Sequence, residues 1–376
     1  MSQFVIGVDG GTTKTIALVA DDQGHILGAG RGGDSNWSGP DVEIPMRVVT
    51  ATVQEALAQA GLRGDDIAVG IFGLAGADWP EDYERRQAVL ARSGIARQVI
   101  VKNDALVGWR AGTRGRYGVA IVAGTGTNTA IIPPGGPEWC YGYYARYGGS
   151  GDVAYDAIHA VLRQEDGRGP PTALTEIVLS HLGFPTPEAL LRALYTHQLD
   201  PSRALTLCPL VFEAAYDGDR VAADLIVKQG AALAEYATAG ICRFGMQQLA
   251  FDVVLSGSLF KGQGPLLIDT IAQAVHRVAP RARIVRPRFE PAVGGVLLAY
   301  DALRSTETCF LGENGFLVTD EVYENLAQTT PGQAFFSTAA CPERGRSVRC
   351  RRNGDQPVSE MPGERDSVDK LTHRST

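Results

Sequence analysis

The chain has 376 residues, of which 44% are hydrophobic and 20% are charged. This composition is typical of a globular protein, and the length favours two folded domains that can each bury a core. A formal net charge of -7 provides no chain-wide attraction for nucleic acid or an anionic membrane, since phosphate groups are bound by clustered lysine and arginine. We therefore expect a small molecule as the partner.

The N-terminus and the cysteines exclude further classes of protein. Residues 1–6 carry no basic segment and their apolar run breaks at Asp9, so they predict neither a secretory signal nor a membrane span. We expect a cytoplasmic protein. The six cysteines form no C-x-x-C pair and no cluster with histidine, which argues against a zinc site, an iron–sulfur cluster or a disulfide framework.

The first motif lies in a turn between two predicted strands, at residues 4–8 and 15–20. The turn reads Asp-Gly-Gly-Thr-Thr-Lys-Thr from residue 9 to residue 15. Glycines let a ligand approach the backbone, and N–H groups, hydroxyls and an ammonium group can surround a phosphate. The expected phosphate-binding residues of this turn are Gly10, Gly11, Thr12, Thr13 and Lys14.

Asp9, at the end of the first strand, is placed to hold Mg²⁺ through water. The turn is not a Walker P-loop, because that motif requires glycine directly before lysine and a helix afterwards, whereas Thr13 precedes Lys14 here and a strand follows. The alternative interpretation is a glycine-rich hairpin with a solvated lysine.

Strands then alternate with helices, which predicts an α/β fold. The predicted elements are a helix at 44–60 that ends at Gly61, a strand at 67–74, a helix at 82–93 and a strand at 98–101. The last strand leads into Asn103 and Asp104, where a carboxylate could accept the proton of an attacking hydroxyl. The alternative is an Asx turn or a helix N-cap for residues 105–111.

A second hairpin resembles the first. Residues 117–122 and 129–132 predict strands, with Gly-Thr-Gly-Thr at 124–127 between them. Alignment of the two turns, at an offset of 114 residues, suggests a weak internal duplication and two homologous lobes. Two facing turns could hold a polyphosphate from both sides, so the second turn adds these phosphate-binding residues: Gly124, Thr125, Gly126 and Thr127.

Neither glycine pattern predicts a dinucleotide site. The second turn lacks the third glycine of the dinucleotide fingerprint. Gly28, Gly30 and Gly33 have the full spacing, but residues 34–40 begin no apolar helix. We interpret this match as accidental.

The remainder of the second lobe is mostly helical over residues 152–244. A strand at 251–255 then leads to Ser256-Gly257-Ser258, where the glycine could admit adenine or ribose, although either serine could equally cap a helix. The chain continues with a helix at 265–278, a strand at 282–285 and a closely packed apolar helix at 291–303.

We therefore divide the chain into three parts. Residues 1–113 form the N-terminal lobe, which the helix near 291–305 joins, and residues 114–290 form the C-terminal lobe with a helical insertion. Residues 306–376 are expected to be a disordered tail, because periodicity fades and polar residues dominate. The arginines at 344–352 suggest a nucleic-acid arm as an alternative, but nearby acids and the lack of aromatics argue against it.

Four motifs occur in the order typical of the sugar kinase and actin-like ATPase superfamily, which the chain resembles from Phe4 to about Leu303. The resemblance implies two ribonuclease H-like lobes, each a mixed sheet flanked by helices, with ATP in the cleft between them. It assigns Asp104 as the catalytic aspartate, the two glycine-threonine turns as phosphate motifs, and Gly257 and Ser258 to the adenosine motif.

Within the superfamily the chain is most similar to N-acetylglucosamine kinases and BadF-type ATPases. The segments that carry this likeness are 35–37 (Ser-Asn-Trp), 72–76 (Phe-Gly-Leu-Ala-Gly) and 166–169 (Asp-Gly-Arg-Gly). Many members have Asp-Glu-Gly-Ser where residues 146–151 read Arg-Tyr-Gly-Gly-Ser-Gly, so one acidic contact to the sugar is absent. The sugar-binding residues that the resemblance implies are Asn36, Asn103, Asn128, Gly148 and Gly149.

The resemblance implies ATP-dependent phosphorylation of a sugar hydroxyl, with N-acetylglucosamine or a related aminosugar or hexose as substrate, Asp104 as base and Mg²⁺ near Asp9. Neither nucleic acid nor a membrane is expected as a partner, and a homodimer is left open. The main alternative is a BadF-type ATPase that activates a partner enzyme. Such activators carry clustered cysteines for an iron–sulfur cluster, which this sequence lacks. A third interpretation is a non-catalytic sugar-binding regulator.

Overall fold

A computed structural model describes residues 3–36, 41–307 and 320–332, and the described residues fall in one compact unit. Two five-stranded sheets form its framework. The first sheet contains β1 (Phe4–Gly10), β2 (Thr15–Ala20), β3 (Ile26–Gly32), β4 (Ile67–Leu74) and β5 (Gln98–Asn103). The second sheet contains β6 (Gly118–Ala123), β7 (Thr127–Ile132), β8 (Trp139–Cys140), β9 (Asp252–Ser256) and β10 (Arg283–Val285).

The two sheets have the same topology. The first has the order β3-β2-β1-β4-β5, and the second, in the matching direction, has the order β8-β7-β6-β9-β10. In both sheets a three-stranded antiparallel meander precedes two parallel strands. The equivalence pairs β1 with β6 and places the two glycine-threonine turns at corresponding positions. This agrees with the internal duplication, and the predicted α/β fold with mixed sheets is confirmed.

Helices flank both sheets, at positions close to those that the hydrophobic periodicity predicts. In the first half of the chain they are α1 (Glu43–Ala60), α2 (Pro80–Arg92) and α3 (Asp104–Gly112). The helices that follow β8 are α4 (Ser150–Glu165), α5 (Leu174–Leu182), α6 (Pro187–Tyr195), α7 (Pro201–Leu205), α8 (Leu207–Tyr216), α9 (Arg220–Arg243), α10 (Leu266–Val278), α11 (Pro291–Glu307) and α12 (Asp320–Thr329).

The glycines that mimic a dinucleotide fingerprint serve helix packing. A Cβ atom on Gly28 would lie 2.1 Å from the carbonyl oxygen of Ala56, and one on Gly30 would lie 1.9 Å from that of Thr52. Helix α1 therefore packs directly on the backbone of β3. This supports the interpretation of the pattern as an accidental match.

Helix α3 lies between the two sheets. Its Val107 belongs to the apolar cluster between the first sheet and α11, whereas Leu106 and Trp109 belong to a cluster with the second sheet. Close packing of α11 on α3 requires a glycine, because a Cβ on Gly294 would lie 1.9 Å from the carbonyl oxygen of Val107. The N-terminus of α3, and with it Asp104, is thereby held where both lobes meet.

The prediction of a disordered tail is wrong for residues 320–332. Helix α12 buries Val322, Tyr323 and Leu326 against the first lobe, and the Tyr323 hydroxyl accepts a hydrogen bond from Arg110 at 2.6 Å. The sequence did not predict this amphipathic helix of ten residues, because the composition of the segment around it is polar. The arginines at 344–352 lie outside the described residues, and the lobe boundary at residue 113 stays a prediction.

Among the described residues, none of the helices is both long and apolar enough to span a bilayer.

Candidate active site

One cleft of about 1430 Å³ brings the predicted motifs together, with walls from both sheets. The predicted site residues that line it are Asp9, Gly11, Thr12, Thr13, Lys14, Asn36, Asp104, Gly124, Thr125, Gly126, Thr127, Asn128, Gly257 and Ser258. The predicted site residues that do not line it are Gly10, Asn103, Gly148 and Gly149.

The first turn closes on itself below its tip. The N–H of Gly11 donates to the carbonyl oxygen of Lys14 at 2.9 Å, and Thr12 and Thr13 at the tip are exposed. Gly10 lies behind the cleft wall, where a Cβ would come within 2.6 Å of Ser35 Oγ. The expectation that Gly10 meets a ligand is therefore not supported, since the glycine is needed for packing.

The second turn is built in the same way. The Gly124 N–H donates to the carbonyl oxygen of Gly126 at 2.8 Å, and the Gly124 carbonyl accepts from the Ser150 N–H at 2.7 Å. Thr125 and Gly126 form an exposed tip. Both phosphate motifs thus present a short stretch of exposed backbone to the same cleft.

Gly148 and Gly149 support the second turn from behind instead of lining the cleft. Their N–H groups donate to the carboxylate of Asp152 at 2.8 and 2.9 Å, at the start of α4. A Cβ on Gly149 would lie 2.3 Å from the carbonyl oxygen of Thr125. The predicted sugar contact of these two glycines is not supported, because their backbone donors are already engaged.

The adenosine motif follows β9 and contacts the second turn. Gly257 has φ +114°, a conformation that side chains disfavour, and a Cβ there would lie 2.2 Å from the carbonyl oxygen of Ala123. Ser258 begins a short 3₁₀ turn, and α10 begins only at Leu266. The alternative, in which Ser256 or Ser258 caps a helix, is wrong, because no serine side chain caps either element.

Asp104 is the first residue of α3. The helix N-cap interpretation of the Asn103-Asp104 pair is confirmed, and the role of Asp104 as a base stays a prediction. The side chain of Asn103 caps the helix by accepting from the Ala105 N–H at 2.9 Å, while the Asp104 side chain lines the cleft. Burial, followed by the charges of Asp9 and Asp78, raises the pKa of Asp104 to about 7. A carboxyl group that titrates near neutral pH is suited to accept a proton from a substrate hydroxyl.

Asp9 lies at the end of β1, within electrostatic range of Asp104 and of the charged pair of Lys14 and Glu290. The Lys14 ammonium is 3.7 Å from the Glu290 carboxylate. Burial raises the pKa of Asp9 to about 6, a shift that Lys14 opposes and Glu290 reinforces. Such a carboxylate would gain from a nearby cation, so the donor chemistry fits water-mediated Mg²⁺. Within the described ranges no group of three or more histidine, cysteine or acidic side chains is placed to hold a metal.

Asp78 is a cleft residue that the sequence analysis missed. Its Oδ1 accepts from the side-chain amides of Asn103, at 2.9 Å, and Asn128, at 3.5 Å. Asn128 in turn donates to Asn103 Oδ1 at 3.1 Å and accepts from the Gly142 N–H at 2.9 Å. Asp78 follows β4, which lies in the sheet between β1 and β5, the strands that lead to Asp9 and Asp104. Because parallel strands end at the same edge of a sheet, this position could have identified Asp78 as a cleft residue.

Asn36 is tied to the first turn. The Ser35 N–H donates to the carbonyl oxygen of Gly11 at 3.1 Å, and Thr15 Oγ1 donates to Ser35 Oγ at 2.7 Å. These hydrogen bonds hold the segment that carries Asn36 against the first turn. Trp37, the next residue of the Ser-Asn-Trp segment, lies outside the described residues.

Other unpredicted residues complete the walls. Tyr143 lines the cleft and stacks on Trp79, with ring centroids 5.6 Å apart. The charged segment 286–290, between β10 and α11, lines the opposite part, together with Ala327 and residues 330–332 at the end of α12. None of these segments contains a glycine-rich or paired-carboxylate pattern, so their sequences gave no reason to predict that they line the cleft.

Of the two remaining segments that carry the family likeness, one lines the cleft and the other does not. At 72–76, Ala75 and Gly76 line the cleft, and the Ala75 N–H donates to the carbonyl oxygen of Gly10 at 2.8 Å. At 166–169, Asp166 forms an exposed ion pair with Arg168 in the turn after α4, away from the cleft lining.

Comparison with known proteins gives a consistent set of relatives. The sequence model of the BadF/BadG/BcrA/BcrD ATPase family matches residues 6–299. N-acetyl-D-glucosamine kinase of Dictyostelium discoideum is 26% identical over 315 residues, which cover 80% of this chain and 98% of that protein. N-acetylmuramic acid/N-acetylglucosamine kinase of Clostridium acetobutylicum is 25% identical over 312 residues, which cover 79% and 98%. A solved structure of a candidate N-acetylglucosamine kinase from Chromobacterium violaceum, with 24% identity, shares the fold at a TM-score of 0.62 and covers 79% of this chain and 99% of its own.

Proposed function

The chain belongs to the BadF/BadG/BcrA/BcrD ATPase family, and we propose that it phosphorylates a sugar hydroxyl with ATP, with N-acetylglucosamine or a related aminosugar or hexose as substrate. The two curated relatives, which match nearly over their full lengths, support an aminosugar. The observation that carries the proposal is the meeting of two phosphate turns and the Asp104 carboxylate in one cleft.

The cleft has two functional ends in this proposal. The nucleotide end comprises the two turn tips, the Gly257-Ser258 segment and the charged residues 286–290. Backbone N–H groups at the tips and the Lys14 ammonium bind the phosphates, and Gly257 leaves room for adenine or ribose against the backbone. The sugar end comprises Asn36, Asp78, Asp104 and Asn128.

Asp104 acts where the two ends meet. Its carboxylate accepts the proton of the sugar hydroxyl as that oxygen attacks the γ-phosphorus in line, and ADP leaves. The amide of Asn103 fixes the start of α3 and so the position of this carboxylate. Closure of the lobes excludes water, which prevents hydrolysis of ATP.

Asp9 is the residue that would hold Mg²⁺, through water. The ion offsets the negative charge of the phosphates when it is bound. Lys14, opposite Glu290, supports the same end of the cleft.

The test is a coupled ADP-release assay with N-acetylglucosamine, glucosamine, glucose and N-acetylmannosamine. We expect sugar-dependent ADP release with at least one aminosugar, together with a phosphorylated product detected by mass spectrometry. ADP release that no sugar stimulates would contradict the proposal. Iron and an absorption band in anaerobically purified protein would favour the activator alternative.

A further inference from the structure

Charge is distributed unevenly along the cleft. The cationic side chains that line the nucleotide end are Lys14, Lys261, Arg286 and Arg288. Glu290 adds a negative charge at that end. Three further carboxylates, of Asp9, Asp104 and Asp78, also line the cleft. The three lie close together, because the charges of Asp9 and Asp78 both raise the pKa of Asp104. ATP would therefore meet most of the cations of the cleft, whereas the sugar would meet the carboxylates of Asp104 and Asp78.

One buried guanidinium lies behind the carboxylates at the sugar end. Arg86 is fully buried and donates to the carbonyl oxygens of Ala75, at 3.0 Å, and Leu74, at 3.5 Å. Its charge lowers the pKa of Asp78, yet burial and the neighbouring Asp82 outweigh it and the pKa of Asp78 is raised. Among the described lining residues of the sugar end, Asp78 and Asp104 are the charged side chains, so this end has a negative character.

The carboxylate of Asp78 is oriented before any ligand arrives. Oδ1 is occupied by the amides of Asn103 and Asn128. In the described part of the chain Oδ2 has no hydrogen-bond donor, and the half-buried side chain lines the cleft beside Asp104. An acceptor held in this way, with one oxygen fixed and the other open to the cleft, can select a ligand at little entropic cost.

We propose, on the basis of the proposed function, that Asp78 is a specificity-determining residue that selects the sugar by charge. Its Oδ2 accepts a hydrogen bond from the substrate, and the charge at this end favours an aminosugar with a free ammonium group over its neutral N-acetyl form. A sugar that carries its own carboxylate is disfavoured. The substrate class of this site is then the unacylated aminosugars.

The physical basis is the weak screening of charges in a cleft. A half-buried carboxylate attracts an ammonium group and repels a carboxylate more strongly than the same group in bulk water. Three sugars that share one ring provide a graded probe: glucosamine is cationic, N-acetylglucosamine is neutral, and N-acetylmuramic acid is anionic. Because their substituents also differ in size, the salt dependence of the ranking separates charge from shape. Their ranking reports the sign of the field that the substrate meets.

The first experiment ranks the three sugars by kcat/KM for the wild-type protein near neutral pH at low and high salt. We expect glucosamine to exceed N-acetylglucosamine by about tenfold at low salt and N-acetylmuramic acid to be the poorest. The preference should shrink as salt rises, since screening weakens it. A preference for the anionic sugar, or ratios of kcat/KM that salt leaves unchanged, would contradict the proposal without any need for a variant.

The second experiment removes the charge but keeps the shape. In Asp78→Asn the ratio of kcat/KM for glucosamine to that for N-acetylglucosamine should fall about tenfold, and N-acetylmuramic acid should improve relative to both. Asp65→Asn is the matched control, because Asp65 is exposed just before β4, at the end of that strand opposite to Asp78. That variant should keep the wild-type ranking.

The outcomes distinguish a failure of charge selection by Asp78 from a failure of the proposed kinase activity. If Asp78→Asn lowers kcat/KM equally for all three sugars, Asp78 only supports the fold of the site and selection by charge is wrong. If no sugar stimulates ADP release from the wild-type protein, the proposed function itself fails. Thermal unfolding of both variants distinguishes a folded but altered site from a misfolded protein.

Discussion

The two ends of the cleft are built by different means. At the sugar end, side chains from three elements bond to one another: Asn103 and Asn128 both donate to Asp78, and Asn103 also caps α3. At the nucleotide end each turn forms one backbone hydrogen bond within itself, is held at its base by neighbouring segments and leaves an exposed tip. The sugar end therefore has its geometry before binding, whereas the nucleotide end gains contacts when phosphate arrives.

This difference has a physical reason. Recognition of a sugar depends on directed hydrogen bonds, so donors and acceptors with fixed orientation reduce the entropy lost on binding. A triphosphate is recognised largely by charge and by backbone N–H groups, which tolerate some adjustment. We therefore expect a substitution at the sugar end to affect both stability and sugar affinity, and one at a turn tip to affect only the affinity for ATP.

The largest effect is expected where the two ends meet. Asp104→Asn should lower kcat by about 100- to 10,000-fold, because an amide at the start of α3 cannot accept the proton of the sugar hydroxyl. Binding of a non-hydrolysable ATP analogue, measured by calorimetry, should remain nearly unchanged. Full turnover in this variant would exclude Asp104 as the base.

The pH dependence of thermal stability tests whether the same variant is folded. Because the pKa of Asp104 is raised in the folded protein, its protonated form stabilises the fold below the unfolded pKa, and this stability is lost as pH rises through about 7. Asp104→Asn should therefore unfold at a higher temperature than the wild type at about pH 8. The difference should vanish near about pH 4, where both side chains are neutral.

The pH dependence of kcat/KM for the sugar is the next test of the site where the two ends meet. Since Asp104 must be deprotonated to act, kcat/KM for the sugar should fall about tenfold for each pH unit below about 7. Asp9, whose pKa is raised to about 6, adds a steeper fall below that value. A flat profile between about pH 5 and 8 would show that neither carboxyl group controls turnover.

A third variant tests the sugar end as a unit. Asn103→Ala leaves the Ala105 N–H without its side-chain acceptor and the Ala77 carbonyl without its side-chain donor, at a cost of about 1 to 3 kcal/mol for each buried group. It also removes the shorter of the two hydrogen bonds to Asp78 Oδ1, so that only Asn128 still donates to that oxygen. Denaturant unfolding should show this loss, and KM for the sugar should rise. If stability falls while KM for the sugar stays the same, Asn103 supports only the helix.

The smallest effect is expected at a turn tip. Thr13→Val removes an exposed hydroxyl, so the free energy of unfolding should change by less than about 0.5 kcal/mol. KM for ATP should rise a few-fold, because one phosphate donor is lost, while KM for the sugar should not change. An equal rise in both KM values would contradict the separation of the two ends.

The nucleotide end was the more predictable from sequence. Its turns lie between consecutive strands, so Gly-Thr patterns within seven residues mark them directly. The sugar end was predictable only in part. Asn36 and Asn128 entered through the family likeness and do line the cleft, whereas Asp78 was missed and Gly148 and Gly149 lie behind the second turn.

The sequence by itself determined the alternation of strands and helices, the two turns, their duplication and the place of Asp104 at a strand end. These features depend on periodicity and on neighbours along the chain. Only the tertiary structure decided that Asp78 shares an edge with Asp104, and that α12 packs on the first lobe. Contacts of this kind depend on the order of strands in the sheet and on apolar surface contributed by distant segments, which no local pattern encodes.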